Sequence, residues 1–276
     1  MRALLGSVRR TFQISSAFIR IGYITSMSYP LSFMADQLAT LAPVVTYYFV
    51  AKVVAVPSAN VAGDYYTFIV IGILASRLLA GSLRGVGDEL EDAVKEGRFE
   101  ALLVQPVAWR AIPFGLVQWP IIWRAVNILL VALLALLLGA RFRAAGLPVA
   151  FVVMVLGATA TMAIGNIAAG VKLLAKRTDP IITFYSIAVL IFAGVAYPIE
   201  VLPPEVRVLS YLIPETYVII ALRKLLMANG DSLPGPSPGV VILALVIFNI
   251  VVFPLSLVLF GRTLEWGRKT GLLGGY

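Results

Sequence analysis

The stretch 240-VVILALVIFNIVVFPLSLVLF-260 holds 21 consecutive residues without a charged side chain. A helix of about 20 apolar residues is long enough to cross the hydrocarbon core of a bilayer. The run 121-IIWRAVNILLVALLALLLGA-140 is nearly as apolar, and Arg124 and Asn127 are its main polar members. We therefore predict that both runs form membrane-spanning helices.

The composition of the whole chain agrees with that prediction. Of its 276 residues, 60% are hydrophobic and 13% are charged. A soluble domain is about 45–50% apolar and about 25% charged. So few charges cannot cover the surface of a soluble protein of this size. We predict an all-α membrane protein with a single domain over residues 1–276.

Two absent residue types restrict the chemistry that the chain can perform. There is no Cys and no His, which removes thiolates, disulfides, the commonest metal ligand and the usual general base near neutral pH. We expect no catalytic residue and no metal site. The net charge of +8 is attributed to cytoplasmic loops, where Lys and Arg accumulate in membrane proteins, and we expect no nucleic-acid partner.

The apolar runs and the breaks between them predict six transmembrane helices. The first lies within residues 30–56, and the others cover about residues 65–83, 114–139, 148–173, 181–198 and 240–260. The third begins nearer Ile121 if Pro113 and Pro120 interrupt an interfacial lead-in, because proline breaks helices.

The distribution of basic residues predicts the orientation. With both termini on one side of the membrane, that side holds fourteen of the 22 Lys and Arg residues and the other side holds six. The remaining two, Arg77 and Arg124, lie within spans. Because basic residues are enriched in cytoplasmic loops, both termini are predicted to be cytoplasmic.

Residues 1–28 precede the first span and predict a basic amphipathic helix. Its polar face is formed by Arg2, Arg9, Arg10, Gln13, Ser16 and Arg20, and its other face is apolar. Such a helix lies in the membrane interface against anionic lipid. Packing of the same helix against protein is the alternative.

A cytoplasmic segment over residues 84–113 is too structured for a simple connector. Eight of the thirteen residues from Asp88 to Glu100 are charged, and the acidic residues at its start favour a helix N-terminus. Gly97 interrupts the pattern, so two short helices are expected to meet near it. From the pattern alone, the segment either docks into a groove of a partner or lies solvated on the membrane surface.

A second segment, residues 197–227, lies between the fifth and sixth spans. Pro203, Pro204 and Pro214 separate short stretches with helical spacing of apolar residues. We predict a helical hairpin that dips into the outer leaflet, which requires shelter by protein or by a water-filled cavity.

At these two segments the sequence resembles ABC-2-type transporter permeases. The string 91-EDAVKEGRFEALLVQPV-107 resembles the coupling segment of those permeases, and 194-GVAYPIEVLPPEVRVLSYLIPETY-217 resembles their proline-marked re-entrant hairpin before the last span. Six spans, cytoplasmic termini and a basic interfacial helix match the family as well. Residues 84–113 are called the coupling segment below, and residues 197–227 the outer hairpin.

The resemblance implies a transmembrane permease subunit of an ATP-binding-cassette exporter in the cytoplasmic (inner) membrane of a prokaryote. A second permease would complete a homodimer or a heterodimer, and separate ATPase subunits would bind ATP and Mg²⁺. Contacts to the ATPase are implied for Glu91, Glu96, Gly97, Arg98 and Glu100. The outer hairpin, marked by Pro198, Pro203 and Pro214, would shape the exit. The apolar spans suit a lipophilic drug, a lipid or a lipid-linked glycan equally well.

The chain is not expected to hydrolyse ATP itself. A P-loop requires Gly-x-x-x-x-Gly-Lys-Ser/Thr. The most similar string runs from Gly261 through Gly267 to Thr270, but it has five intervening residues and Arg268 separates Gly267 from Lys269. No cofactor is therefore predicted in this chain.

Three charged residues lie in or near spans: Asp36, Arg77 and Arg124. Such residues cost about 2.5–3.5 kcal/mol each on insertion scales and are candidates for function. Three roles stay open: an ion pair of Asp36 with Arg77 or Arg124, extension of the arginines to the interface, and contact with substrate.

The fourth span carries small residues at every fourth position: Gly157, Thr161, Gly165 and Ala169. Such a stripe lets two helices approach closely. Packing within one chain is favoured over packing between two permeases.

Two other classes of protein were considered. A secondary transporter or channel, independent of ATP, usually has paired broken helices or buried acids for coupling ions, whereas Asp36 is the only acid well inside a predicted span. An intramembrane lipid-modifying enzyme needs convergent polar or metal-binding residues at one membrane face, and the acids are not arranged in that way.

Overall fold

The computed structural model describes residues 2–54, 65–95, 97, 115–175 and 180–269. Within these ranges the chain is helical, and the helices are joined by turns. The helices are α1 (Arg2–Met27), α2 (Pro30–Val54), α3 (Tyr65–Lys95), α4 (Gln118–Leu137), α5 (Leu147–Ala175), α6 (Pro180–Phe192), α7 (Pro204–Ser210), α8 (Pro214–Leu226) and α9 (Pro238–Lys269). Short 3₁₀ turns lie at Ala144–Gly146, Ile199–Val201 and Gly230–Ser232.

Four helical stretches in the described residues are long and apolar enough to cross a membrane. They are Tyr65–Gly85 in α3, all of α4, Ala144–Val171 in and before α5, and Pro238–Thr263 in α9. Large apolar side chains such as Leu129, Leu137 and Ile250 are more than two-thirds exposed on these helices. Since a soluble surface does not present such rows of leucine and isoleucine, the chain is a multi-pass membrane protein.

The first and fifth predicted spans have weaker support than the other four. Helix α2 extends over Pro30–Val54, as predicted, but carries Asp36 and Lys52. Helix α6 has only 13 residues, which is about 20 Å of helix at 1.5 Å per residue. It ends at Phe192 because Gly194 adopts a left-handed conformation with φ of 71°. A total of six spans therefore stays a prediction.

The core of the described bundle is built by α3, α5, α8 and α9. Ile69 and Leu79 of α3 pack with Val153 of α5 and with Ile219 and Leu222 of α8, and all five side chains are fully buried. Helix α8 belongs to the outer hairpin, so this segment is an integral part of the core and not a loop over it.

The stripe of small residues on α5 faces this core. A Cβ atom on Gly165 would lie 1.9 Å from the carbonyl oxygen of Leu83, and one on Gly157 would lie 2.7 Å from Val218. Thr161 and Ala169 are fully buried beside them. The stripe thus packs within the chain, as predicted, and brings the backbones of α5 and α3 into contact.

Helix α1 packs against the start of α4 along its second half. The Trp119 indole donates a hydrogen bond to Ser26 Oγ at 2.7 Å, and Gln118 Nε2 donates to Ser15 Oγ at 3.2 Å. A Cβ atom on Gly22 would lie 2.4 Å from Trp119. The second half of α1 therefore packs on protein, which was the alternative to a position in the membrane interface.

Candidate functional site

Helix α3 continues without a break from the predicted second span into the coupling segment. We predicted a span ending near Leu83 and two short helices that meet near Gly97. The apolar stretch does end near Leu83, at Gly85, but the first of the two short helices is not separate from the span, and that part of the prediction is wrong. One helix of 31 residues runs from Tyr65 to Lys95. No proline interrupts it, and an ion pair between Glu91 and Lys95 spans its last turn.

The predicted break at Gly97 is confirmed. Gly97 has φ of 69°, its surroundings are open to 4 Å, and the residue is exposed. A left-handed glycine is a common way to end a helix. Of the residues implied to contact an ATPase, Glu91 and Gly97 lie here, at the end of α3. Glu96, Arg98 and Glu100 lie outside the described residues.

The part of α3 from Leu83 to Ala93 is held firmly against α5. Gly165 touches the backbone at Leu83, a Cβ atom on Gly87 would lie 3.1 Å from that of Ala169, and Ala93 is fully buried. Because α3 and α5 meet through small residues with little side-chain freedom between them, a force on the end of α3 reaches the bundle as a rigid displacement.

The outer hairpin consists of short helices separated by prolines, as predicted. Pro198 precedes the 3₁₀ turn, Pro203 is the N-cap residue of α7, and Pro214 is the first residue of α8. Arg207 of α7 closes the turn by donating to the carbonyl oxygens of Glu200, at 2.7 Å, and Leu202, at 3.0 Å. The depth of this hairpin in a bilayer remains a prediction.

A buried arginine joins α8 to two other parts of the chain. Arg223, 4% exposed, donates to the carbonyl oxygens of Gly194 and Val195, both at 2.7 Å, and of Phe68 at 3.3 Å. Its guanidinium also lies 3.4 Å from the centre of the Phe68 ring. Arg223 is one of the six basic residues on the predicted outer side, and no sequence pattern predicted its buried role.

A buried carboxylate at the start of α8 was also missed. Glu215 is 1% exposed and accepts a hydrogen bond of 2.6 Å from the Tyr185 hydroxyl of α6. The contact ties the short helix α6 to the outer hairpin. Glu215 was noted in the sequence only as part of the Pro-Glu-Thr-Tyr string after Ile213.

Removing the hydroxyl of Tyr185 tests this contact. We expect Tyr185→Phe to lower the free energy of unfolding by about 1–3 kcal/mol, because a buried carboxylate loses its donor. Tyr211→Phe is the matched control, since Tyr211 is 43% exposed. Both variants are compared by thermal unfolding of the purified chain in detergent. Equal melting temperatures for the two variants would contradict the assignment.

Of the three roles left open for the intramembrane charges, the ion pair of Asp36 is absent from the described residues. Within the described part of the chain, Asp36 makes no salt bridge to Arg77 or Arg124. Arg77 instead donates to the carbonyl oxygen of Ala39 on α2 at 3.1 Å. Arg124 lies against Gly81 of α3, where a Cβ atom would come within 2.1 Å of its Nε. Arg77 thus binds a backbone oxygen of α2, and Arg124 lies along α3.

The fold and these segments define a multi-pass membrane protein in which one membrane-spanning helix continues into the acidic coupling segment. A family model for the ABC-2 type transporter matches residues 90–227, from the end of α3 through the outer hairpin. The match covers half of the chain, and the chain therefore belongs to the ABC-2 type transporter family. A search among curated proteins found no match.

Proposed function

We propose that the chain is the permease subunit of an ATP-driven exporter in the cytoplasmic membrane of a prokaryote. It moves a lipophilic or lipid-like substrate, and both of its termini are cytoplasmic. Membership of the ABC-2 type transporter family supports the class, because permeases of that family typically work with ATPase subunits. The count of basic residues supports the orientation.

The observation that carries the proposal is the continuity of α3. The helix spans the membrane as Tyr65–Gly85 and continues to Lys95. ATP-driven closure of a partner that grips the coupling segment therefore moves a helix that is already locked to α5. The bundle moves as one body, and the transport pathway between the two permeases opens towards the outer leaflet beside the outer hairpin.

ATP and Mg²⁺ belong to the partner in this proposal. The string around Gly261–Thr270 lacks the spacing of a P-loop, and Gly261 lies inside helix α9 and not in a phosphate-binding loop. Two ATPase subunits bind below a pair of permeases. The second permease is another copy of this chain or a related chain.

The conformation of Gly97 gives a test of coupling. We expect Gly97→Ala to lower permease-stimulated ATPase activity several-fold, because the left-handed conformation costs an alanine about 1–2 kcal/mol and the coupling segment is redirected. Gly85→Ala is the control: Gly85 also has open space around its Cβ position but lies inside α3. If both variants stimulate the ATPase as strongly as the parent chain does, the turn at Gly97 has no role in coupling.

The class of transporter is tested by reconstitution. The chain and an ABC-transporter ATPase that co-purifies with it are placed together in vesicles, and efflux of a lipophilic dye is followed with ATP, without ATP, and without the ATPase. We expect efflux only with ATP and ATPase together, and its loss in Glu100→Lys. Efflux that needs neither ATP nor the ATPase would instead identify a secondary transporter or channel.

A further inference from the structure

Helices α2, α3 and α4 surround a cavity of about 280 Å³. This volume is well above the roughly 30 Å³ that one water molecule occupies in the liquid. The polar part of the wall consists of Thr40, Arg77, Arg124 and Asn127, and the rest of the wall is apolar. No carboxylate lines the cavity, so both of its charged wall residues are positive.

The two arginines of this wall use few of their hydrogen-bond donors. A guanidinium group carries five N–H donors. Arg77 donates from Nη2 to the carbonyl oxygen of Ala39, and Arg124 donates no hydrogen bond to any residue that the structure describes. Donors of this kind are satisfied by a ligand that brings acceptor oxygens into the cavity.

The charges around the two arginines are not balanced by described carboxylates. Arg77 makes no ion pair with a carboxylate in the described ranges, whereas the charge of Glu89 acts on Arg124. Glu89 and Asp36 line a neighbouring cavity and not this one. Because charged groups within a membrane are ordinarily paired, the excess positive charge indicates an anionic ligand.

The amide of Asn127 supplies a second, independent sign of a ligand. Its Oδ1 atom is buried and has no hydrogen-bond donor among the described residues. A buried acceptor without a donor is unfavourable. A hydroxyl group on the ligand or on its head group would donate to this oxygen.

A phosphate group fits the two arginines better than a carboxylate does. Arg77 and Arg124 belong to different helices, α3 and α4. The planar carboxylate presents its two oxygens to one guanidinium in a bidentate pair. The oxygens of a phosphate point in tetrahedral directions, so they can accept hydrogen bonds from two guanidinium groups at once.

We propose that this cavity binds a phosphate group between Arg77 and Arg124. In the predicted topology both arginines lie in the cytoplasmic half of their helices, so the phosphate belongs to an anionic phospholipid of the inner leaflet or is free phosphate from the cytoplasm. A phosphate bound there joins α4 to α3, the helix that continues into the coupling segment. The site does not depend on whether the chain exports a substrate.

Two measurements on the purified full chain in detergent distinguish the two sources. Native mass spectrometry compares the binding of phosphatidylglycerol with that of oleic acid, whose head group is a carboxylate. Melting temperatures compare potassium phosphate with potassium acetate at equal ionic strength. If the source is the lipid, the first phosphatidylglycerol is expected to bind at about a tenfold lower concentration than oleic acid, as one charge-assisted hydrogen bond allows. If the source is free phosphate, phosphate is expected to raise the melting temperature above its value in acetate.

Variants separate the site from general effects of lipid and salt. Arg77→Gln and Arg124→Gln are expected to abolish the preference for phosphate over carboxylate. Arg84→Gln is the matched control and is expected to retain the preference, because Arg84 is an exposed arginine of the same helix α3, donates to Ser186 and does not line the cavity. General stabilisation by phosphate salts would persist in all three variants.

The proposal is overturned if the parent chain shows no preference for phosphate in either measurement. It is also overturned if the preference survives in both Arg77→Gln and Arg124→Gln, or is lost equally in Arg84→Gln. Should the glutamine variants not fold, Arg77→Lys and Arg124→Lys take their place. Lysine keeps the charge but lacks the paired donors, so the preference is expected to fall about tenfold in these variants too, and an unchanged preference would contradict the site.

Discussion

Replacing Gly165 with alanine is expected to destabilise the folded chain by about 3 kcal/mol, the upper end of the usual cost of overpacking. The added Cβ atom would lie 1.9 Å from the carbonyl oxygen of Leu83. That oxygen belongs to the backbone of α3, so it cannot move away as a side chain does. The two helices must separate, and the contacts around Leu79 and Val153 loosen with them.

Gly261→Ala is the matched control for this prediction. Gly261 also lies within a helix, α9, but its Cβ position has open space to 4 Å. Because alanine is favoured over glycine in helices by about 1 kcal/mol, this variant is expected to be as stable as the parent or slightly more stable. Unfolding of both variants is followed by temperature and by SDS titration in mild detergent. Similar losses of stability in the two variants, or no loss of stability in Gly165→Ala, would show that α3 and α5 are not in backbone contact.

Replacing Arg223 with methionine is expected to cost about 3–5 kcal/mol, since each buried acceptor left unpaired costs about 1–3 kcal/mol. Two buried carbonyl oxygens, those of Gly194 and Val195, receive hydrogen bonds of 2.7 Å from this guanidinium. Methionine has a similar length but no donor. The turn after α6 then loses its attachment to the outer hairpin.

Arg143→Met provides the comparison for Arg223. Arg143 pairs with Asp231 at 3.2 Å, but the two side chains are 48% and 86% exposed. Exposed pairs contribute about 0–1 kcal/mol, so this variant is expected to behave like the parent. The yield of monodisperse protein and the melting temperature are measured for both. Equal yields and melting temperatures would mean that Arg223 does not hold the hairpin.

Much of the helical layout could be predicted from the sequence. Long apolar runs predicted α4, α5 and α9, because a span needs a length and a polarity that few other structures require. The prolines at 203 and 214 predicted the helix starts in the outer hairpin, since proline favours the first turn. Gly97 predicted the end of α3 for an equally local reason.

Features that depend on tertiary contacts could not be predicted in this way. Arg223 and Glu215 had no role in the predicted hairpin, because a charge near a proline-rich segment ordinarily faces water. Their partners, at Gly194 and Tyr185, are about thirty residues away and carry no recognisable pattern. The absence of an ion pair between Asp36 and Arg77 has a similar reason. The backbone oxygen of Ala39 lies closer to Arg77 than any carboxylate of the described residues does, and the spacing of residues along a helix does not reveal this contact.

In α3 the polarity of the sequence changes close to the predicted end of the span, but the helix is not divided in two at that point. The change from apolar to acidic residues near Asp88 marks where the helix leaves the apolar layer and not the start of a new helix. Residues with good helix propensity, such as Glu91 and Lys95, continue the same helix. Polarity indicates the environment of a segment, whereas the left-handed Gly97 indicates where this helix ends.

Site-directed cross-linking tests the central claim most directly, since it asks whether the coupling segment touches an ATPase. The chain has no cysteine, so Arg98→Cys and, at an exposed outer position, Asn229→Cys each create a unique attachment point for a photoactivated cross-linker. With an ABC-transporter ATPase that co-purifies with the chain in the same membrane, position 98 is expected to cross-link to the ATPase and position 229 is not. A complex that forms and functions, but yields no cross-link from position 98 or an equal one from position 229, would contradict the account.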